Sequence, residues 1–209
     1  MVKQTKSLLL FAHGAGAGKD SEFMVSMANQ LESKQINVKR FNFPYMSLMT
    51  EQGKRRPPDR MPQLISFFKQ QVSQVLSDPN YSEHSIFVGG KSMGGRVASL
   101  LADSLDNNLP INGIICLGFP FHPPRTPQKF RGEHLANIEI PTLILQGERD
   151  PFGNKQEVEQ YKLSDKVSLE FIFDGDHSFN PRKKSGGTYQ RNLEKSSQLI
   201  DSFIRQFSN

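Results

Sequence analysis

Cysteine is nearly absent from this chain of 209 residues, which contains only Cys116. An intrachain disulfide is therefore impossible, and this favours a reducing compartment. Cys116 lies in the apolar run 114–117, where a buried, inert thiol is a better interpretation than a nucleophile. Long hydrophobic runs are also missing, so we expect no membrane span and no membrane partner. The apolar run 8–12 is too short for a signal-peptide core and no cleavage pattern follows it, so we expect a cytoplasmic protein.

Charge is only moderately one-sided. The chain has 26 Lys and Arg against 21 Asp and Glu, a net charge of +5. This balance is compatible with anionic partners, but the cations form no long stripe and no nucleic-acid-binding motif occurs. We therefore expect no nucleic-acid partner. The length suits one α/β domain over residues 1–209 with a sizeable core.

Short apolar runs alternate with helical patterns along the whole chain. This alternation predicts a doubly wound, mostly parallel six-stranded sheet with right-handed crossovers, the α/β class. The segment 44–62 is interpreted as a long irregular loop, and the connection after the fourth strand is too short for a separate lid domain. The predicted strands are 7–12, 36–43, 85–89, 113–119, 141–146 and 167–173, and the main predicted helices are 23–31, 64–76, 96–105 and 190–207.

The stretch Gly89 to Gly95 contains a G-x-S-x-G motif centred on Ser92, between a predicted strand and a predicted helix. In that context the serine occupies a sharp turn, and its hydroxyl projects at the positive end of the helix dipole. A P-loop is the first alternative, but its first glycine would fall at Ser85. A glycine-rich turn with no chemistry is the second. We interpret Ser92 as a candidate nucleophile whose oxyanion would be bound by the amide of Met93.

The first predicted strand ends in a loop that begins His13-Gly14-Ala15 and contains further glycines. It is not a dinucleotide-binding fingerprint, because the position of the third glycine is Lys19. It is similar instead to loops that supply the second oxyanion amide of a hydrolase. Ala15 is the first choice for that amide, with Gly14 or Gly16 as alternatives. His13 is a better candidate for supporting the loop than for a catalytic base.

A serine nucleophile needs a base within hydrogen-bond reach and an acid that orients the base. Asp150 and His177 follow Ser92 in the order Ser, Asp, His, each after a separate predicted strand. Three alternatives remain open: that Asp150 is a helix cap, that Glu148 is the acid, and that His177 is a plain loop residue. Asp174 and Asp176 are expected to brace the turn of His177.

Several short stretches match, in combination, one known group of hydrolases: 13–17, 43–46, 55–60, 89–96, 120–124, 146–153, 175–177 and 181–186. The chain resembles predicted bacterial α/β-hydrolases related to the testis-expressed and nonspecific-lethal-complex hydrolase-like proteins, and more distantly dienelactone hydrolases. The resemblance covers about 8–207. It implies a minimal α/β-hydrolase fold without a cap domain and the triad Ser92, Asp150 and His177. It implies no substrate, and some eukaryotic relatives look like subunits of complexes.

These features predict a serine hydrolase that cleaves an ester, a thioester or a related acyl bond of a small molecule. A non-catalytic interaction module with the hydrolase fold is the main alternative, and an anion-binding regulatory protein is a third. We expect no cofactor and no metal, and the sequence does not indicate an oligomeric state.

Aromatic and cationic residues occur in three loops that are expected to lie near Ser92. Arginine presents a planar group that suits a carboxylate or phosphate, so we expect an acyl substrate with a remote anionic group. The alternative is that these arginines are surface charges or pair with Asp59. The candidate substrate-binding residues are Tyr45, Arg55, Arg56, Phe121, His122 and Phe179.

Overall fold

The computed structural model describes residues 6–103 and 110–208. Within them, six strands form one sheet in the order β2-β1-β3-β4-β5-β6, and every neighbouring pair is parallel. The predicted α/β class and parallel sheet are confirmed. The strands are β1 (Lys6–Ala12), β2 (Ile36–Phe41), β3 (His84–Lys91), β4 (Gly113–Leu117), β5 (Thr142–Gly147) and β6 (Val167–Ile172).

Helices cover both faces of the sheet. On one face α3 packs against α4, and on the other α1 packs against α6. The helices are α1 (Glu22–Glu32), α2 (Pro44–Gln52), α3 (Met61–Leu76), α4 (Met93–Asp103), α5 (Lys155–Val158) and α6 (Tyr189–Phe207).

Strand β1 shows why the central strands are apolar without alternation. Leu8 and Leu10 are buried in the core on the α3–α4 side, and Leu9 and Phe11 are buried in the core on the α1–α6 side. Successive side chains of a strand point to opposite faces, so a strand with helices on both sides needs apolar residues at every position.

The segment 44–62 is more regular than predicted, so the interpretation as one long loop is wrong. Pro44 occupies the first turn of α2, where a missing amide hydrogen has no cost and a fixed φ is favourable. Gly53 ends α2 in the left-handed region with φ 64°, and its N–H donates to the carbonyl of Met49. Helix α3 then begins at Met61, so only residues 53–60 are irregular.

Other predicted bounds shift by a few residues. The helix predicted from residue 96 begins at Met93, directly after the candidate serine, while its predicted end at Leu105 lies outside the described residues. The strands predicted to reach 43 and 119 end earlier, at Phe41 and Leu117.

The strand register brings several loops to one edge of the sheet. Ala12 pairs with Gly90 at the ends of β1 and β3, and Lys91 pairs with Leu117 at the end of β4. The carboxyl ends of parallel strands meet at the same edge, which is where ligand sites form in open α/β sheets. The connection 118–141 has a single 3₁₀ turn, Glu133–Ala136, and no cap domain. Among residues 6–103 and 110–208, every helix is too short or too polar to cross a bilayer.

Candidate active site

Ser92 occupies a tight turn between β3 and α4. Its φ is +53°, a conformation that side chains other than glycine rarely adopt, and its N–H donates to the carbonyl of Leu117 at 2.9 Å. A Cβ added to Gly90 or to Gly94 would lie 2.5 Å from the carbonyl oxygen of Ala12. Both glycines are therefore required, because strand, turn and helix approach too closely for any side chain.

The imidazole of His177 lies between Ser92 and Asp150. Its Nε2 is 2.9 Å from Ser92 Oγ, and its Nδ1 is 2.8 Å from Asp150 Oδ2. A carboxylate only accepts hydrogen bonds, so Nδ1 carries the proton and Nε2 is left to accept from the serine hydroxyl. This is the tautomer that a general base facing a serine requires.

Asp150 is fully buried and its carboxylate is held by several donors. Oδ1 accepts from the N–H of Phe152 at 2.8 Å, and Oδ2 accepts from the amide of Gln146 at 3.0 Å as well as from His177. Glu148, the alternative acid, accepts instead from the N–H of Asp174 at 2.7 Å. The structure therefore places Asp150 and not Glu148 against the imidazole.

Two aspartates stabilise the loop that carries His177. Asp176 Oδ1 accepts from the N–H of Ser178 and of Asn180 at 2.8 and 2.9 Å. Asp174 is buried and accepts from the N–H and the guanidinium of Arg182, and these hydrogen bonds lower the pKa of its carboxyl group. Both residues brace the turn.

The loop after β1 is held by hydrogen bonds from two side chains, those of His13 and Tyr45. The N–H of Phe43 donates to His13 Nε2 at 3.0 Å, so His13 Nδ1 carries the proton and donates to the carbonyl of Gly14 at 2.6 Å. Burial lowers the pKa of His13, which keeps the ring neutral in this role. The hydroxyl of Tyr45 donates to the carbonyl of Ala15 at 2.9 Å.

These contacts fix the directions of two peptide units. In a trans peptide the C=O and the N–H of one unit point in opposite directions, so anchored carbonyls of Gly14 and Ala15 turn the N–H groups of Ala15 and Gly16 outward. Gly14 lies beside the candidate nucleophile, because a Cβ added to it would be 3.6 Å from Ser92 Cβ. The loop therefore presents backbone donors next to the serine.

Phe152 is a residue of the site that sequence analysis missed. Its ring centroid lies 4.3 Å from that of His177, and the angle between the two ring planes is 34°. The side chain is partly exposed. The signal in the sequence was its place two residues after Asp150, where its N–H can reach back to the carboxylate.

Four of the six candidate substrate-binding side chains are buried in the fold, which corrects that part of the prediction. Tyr45 supports the loop after β1, as described above, and His122 contacts the carbonyl of Pro123 and the carboxylate of Glu157. Phe121 packs against Phe119 and Tyr161, and Phe179 packs against Phe23. These four side chains therefore contact other parts of the protein and are not exposed to a ligand.

Arg55 and Arg56 differ from these four residues. Both are exposed in the irregular segment 53–60, and no ion pair involving them occurs among residues 6–103 and 110–208. Asp59, the alternative partner, accepts from the N–H of Tyr45 at 3.2 Å. The segment is thereby attached to the start of α2, next to the loop after β1.

Comparison with known proteins matches residues 5–205 to the alpha/beta hydrolase domain family. The chain belongs to this family. An enzyme of the α/β-hydrolase class, predicted from the sequence, is confirmed at this level, as is the general resemblance to hydrolases of this fold.

Solved structures show the same fold at low sequence identity. Dienelactone hydrolase from Anabaena variabilis is 18% identical, with a TM-score of 0.73 over 99% of this chain and 89% of that one. An esterase from Pyrococcus furiosus is 16% identical, with a TM-score of 0.70 over 98% and 83%. Est1E from Butyrivibrio proteoclasticus, with bound ferulic acid, is 14% identical, with a TM-score of 0.66 over 97% and 92%.

Proposed function

We propose that this member of the alpha/beta hydrolase family is a serine hydrolase that cleaves an ester, a thioester or a related acyl bond through an acyl-enzyme on Ser92. The observation that carries the proposal is the continuous hydrogen-bonded series from Ser92 Oγ through His177 to Asp150, at 2.9 and 2.8 Å. A serine hydroxyl is a weak nucleophile, and an adjacent base with a fixed tautomer is what activates it.

In the first half-reaction, Ser92 Oγ attacks the carbonyl carbon of the substrate and its proton moves to His177 Nε2. The carbonyl electron pair moves to oxygen, and the resulting oxyanion is bound by the N–H groups of Met93 and Ala15. Asp150 stabilises the imidazolium that forms. When the oxyanion collapses, the bond to the leaving group breaks, and the alcohol or thiol takes the proton from Nε2.

In the second half-reaction, water attacks the acyl carbon of the ester on Ser92 and gives its proton to His177 Nε2. The same two amides bind the second oxyanion. Collapse breaks the bond to Ser92 Oγ, which takes the proton back from Nε2, and the carboxylic acid leaves. The enzyme returns to its starting state with one water consumed.

The family and its neighbours support acyl chemistry more than any other class. The structural neighbours include a dienelactone hydrolase, an esterase, and Est1E with bound ferulic acid. The connection 118–141 contains no cap domain that would cover this edge of the sheet. An open site of this kind favours a compact substrate, and the partly exposed ring of Phe152 offers an apolar surface beside His177.

We also propose that the acyl substrate has a remote anionic group that binds Arg55 or Arg56. Support comes from their position, since Asp59 attaches their segment to Tyr45, which in turn holds Ala15. Exposed guanidinium groups in this segment would suit a carboxylate or phosphate.

The closer relation of this chain to the testis-expressed and nonspecific-lethal-complex hydrolase-like proteins stays a prediction, as does the cytoplasmic location.

A fluorophosphonate probe tests the proposal without knowledge of the substrate. We expect mass spectrometry to find the probe on Ser92 of the wild type, and Ser92→Ala to lose labelling and to reduce hydrolysis of a nitrophenyl ester about 10⁴- to 10⁶-fold. Ser66→Ala, on the exposed face of α3, is the matched control. A wild type that is not labelled, or an Ala variant that hydrolyses the ester at the same rate, would favour the non-catalytic interaction module instead.

A further inference from the structure

Lys91 is a charged side chain buried next to the candidate nucleophile. It is the last residue of β3, so its side chain leaves the sheet on the face opposite to that of its neighbours in the strand. Only 7% of the residue is exposed, and its Nζ donates to the backbone carbonyl of His177 at 2.5 Å. The ring of Phe23, on α1, lies below the ammonium at 5.4 Å.

The fold keeps a space for this ammonium group at Gly118. This residue has φ +63°, and a Cβ added to it would lie 2.9 Å from Lys91 Nζ and 2.9 Å from the carbonyl oxygen of His177. Any larger residue would therefore push apart the two groups that form the hydrogen bond. The contact between Lys91 and His177 thus depends on a glycine from a third element, which follows β4.

Burying an ammonium group is costly, and here it is only partly compensated. Burial lowers the pKa of Lys91 to about 8, while the negative charges of Asp150 and Asp176 act in the opposite direction. An apolar side chain of similar volume would avoid this cost, since replacing buried charges by well-packed apolar groups is often neutral or stabilising. Stability of the fold therefore does not explain a lysine at this position.

We propose that Lys91 is a positioning residue for His177. The imidazole is held at both ring nitrogens, and the hydrogen bond from Lys91 holds the backbone carbonyl of the same residue. Together the three contacts hold the ring at the distance that proton transfer from Ser92 requires. A displacement of about 1 Å in such a group can reduce a rate about 100-fold. This inference rests on the proposed role of His177 as the base.

Lys91→Met tests the proposal, because it removes the donor at nearly constant volume. We expect kcat for a nitrophenyl ester and the rate of fluorophosphonate labelling to fall together, about 10- to 100-fold, with KM nearly unchanged. The melting temperature should stay the same or rise. Lys155→Met is the matched control, since Lys155 also lies over an aromatic ring, that of Phe171, but outside the site, and both rates should be unchanged.

A spectroscopic measurement makes the test independent of turnover. The Nδ1 proton of His177, held by Asp150, is expected to give a downfield NMR signal in the wild type that broadens or disappears in Lys91→Met. Lys91→Gln provides a second variant if the Met protein does not fold. Unchanged rates and an unchanged signal would overturn the proposal, and so would a loss of activity that only follows a loss of folded protein. Failure of the wild type to be labelled would instead contradict the proposed function itself.

Discussion

The hydroxyl of Tyr45 donates a hydrogen bond of 2.9 Å to the carbonyl oxygen of Ala15. Burial and the nearby charge of Asp59 raise the pKa of this hydroxyl, so it remains a donor at every pH at which the protein is studied. The contact connects α2, an element that the sequence did not predict, to the loop that we propose binds the oxyanion. The contribution of this hydroxyl to the orientation of the loop can be tested with one substitution, because the hydrogen bond from His13 to Gly14 stays in place.

We expect Tyr45→Phe to lower kcat for a nitrophenyl ester by about tenfold or more. The Tyr45 hydroxyl also contacts the carbonyl oxygen of Gly14 at 3.3 Å, and the peptide unit of that carbonyl contains the N–H of Ala15 that is proposed to bind the developing charge. KM should change little, since the interaction is made in the transition state. Tyr81→Phe is the control, because Tyr81 precedes β3 at the opposite end of the sheet. Equal rates in the two variants would show that the loop keeps its orientation without Tyr45.

The acid of the triad is tested by two substitutions of the same kind. Asp150→Asn should lower kcat about 10⁴-fold, because an amide favours the wrong tautomer of His177. Glu148→Gln should have a small effect, because the Glu148 carboxylate contacts the N–H of Asp174 and not the imidazole. Steady-state hydrolysis of one ester compares them directly. A larger loss in Glu148→Gln would reverse the assignment.

Much of the architecture could be predicted because it depends on local patterns. Runs such as 8–12 are apolar at every position, and that pattern is typical of a strand with helices on both faces. Ser92, Asp150 and His177 each follow a strand, and parallel strands end at one edge, so their proximity follows from the topology. Their contacts are visible in the structure, while their chemical roles stay a prediction until Ser92 is labelled.

The rest depends on contacts that a sequence pattern does not contain. Phe121 and Phe179 were expected to face a ligand because they lie near strand ends, but the direction of a loop side chain is decided by packing partners far along the chain. Lys91 contacts the backbone of His177, 86 residues away. Pro44 was interpreted as part of a loop, although a proline fits the first turn of a helix equally well.

The lowered pKa of Lys91 gives stability a specific dependence on pH. Its value of about 8 lies below the ordinary 10.5, so between these pH values the unfolded chain holds a proton that the folded protein has lost. The unfolded state then binds more protons, and the free energy of unfolding rises with pH in this window, by about 3 kcal/mol in total. Below pH 8 Lys91 is charged in the folded protein as well, so the burial of its charge lowers the free energy of unfolding by the full amount.

Urea unfolding of the wild type and of Lys91→Met between pH 7 and pH 11 measures this contribution. The variant should lack the rise, so its advantage in stability over the wild type should be largest at pH 7 and shrink as the pH approaches 10.5. All other groups titrate in both proteins and cancel in the difference. Parallel curves for the two proteins would show that the pKa of Lys91 is close to its ordinary value.

Arg55 and Arg56 are proposed to bind a remote anionic group of the substrate. Both guanidinium groups are exposed in the segment 53–60, which Asp59 attaches to the N–H of Tyr45. If either arginine binds a remote carboxylate of the substrate, Arg55→Ala or Arg56→Ala should lower kcat/KM for a carboxylate-bearing ester. The expected loss corresponds to about 1.5–3 kcal/mol of transition-state stabilisation, the size of a hydrogen bond to a charged group. The matched neutral ester should be hydrolysed as by the wild type, and added salt should weaken the preference for the anion.

Arg205→Ala is the control, because Arg205 lies near the end of α6 and pairs with Asp201. It removes the same charge from the protein without changing the segment 53–60, so it separates local recognition from a general effect of net charge. A selective loss in Arg55→Ala or Arg56→Ala alone would support binding of the anion at this segment. Equal losses on both esters would indicate that the substitution disturbs the attachment of the segment to Tyr45. No loss on either ester would show that the two arginines are solvated surface charges. The apolar surface of Phe152 beside His177 would then be the remaining feature of the site that indicates a substrate, and it favours an apolar acyl group.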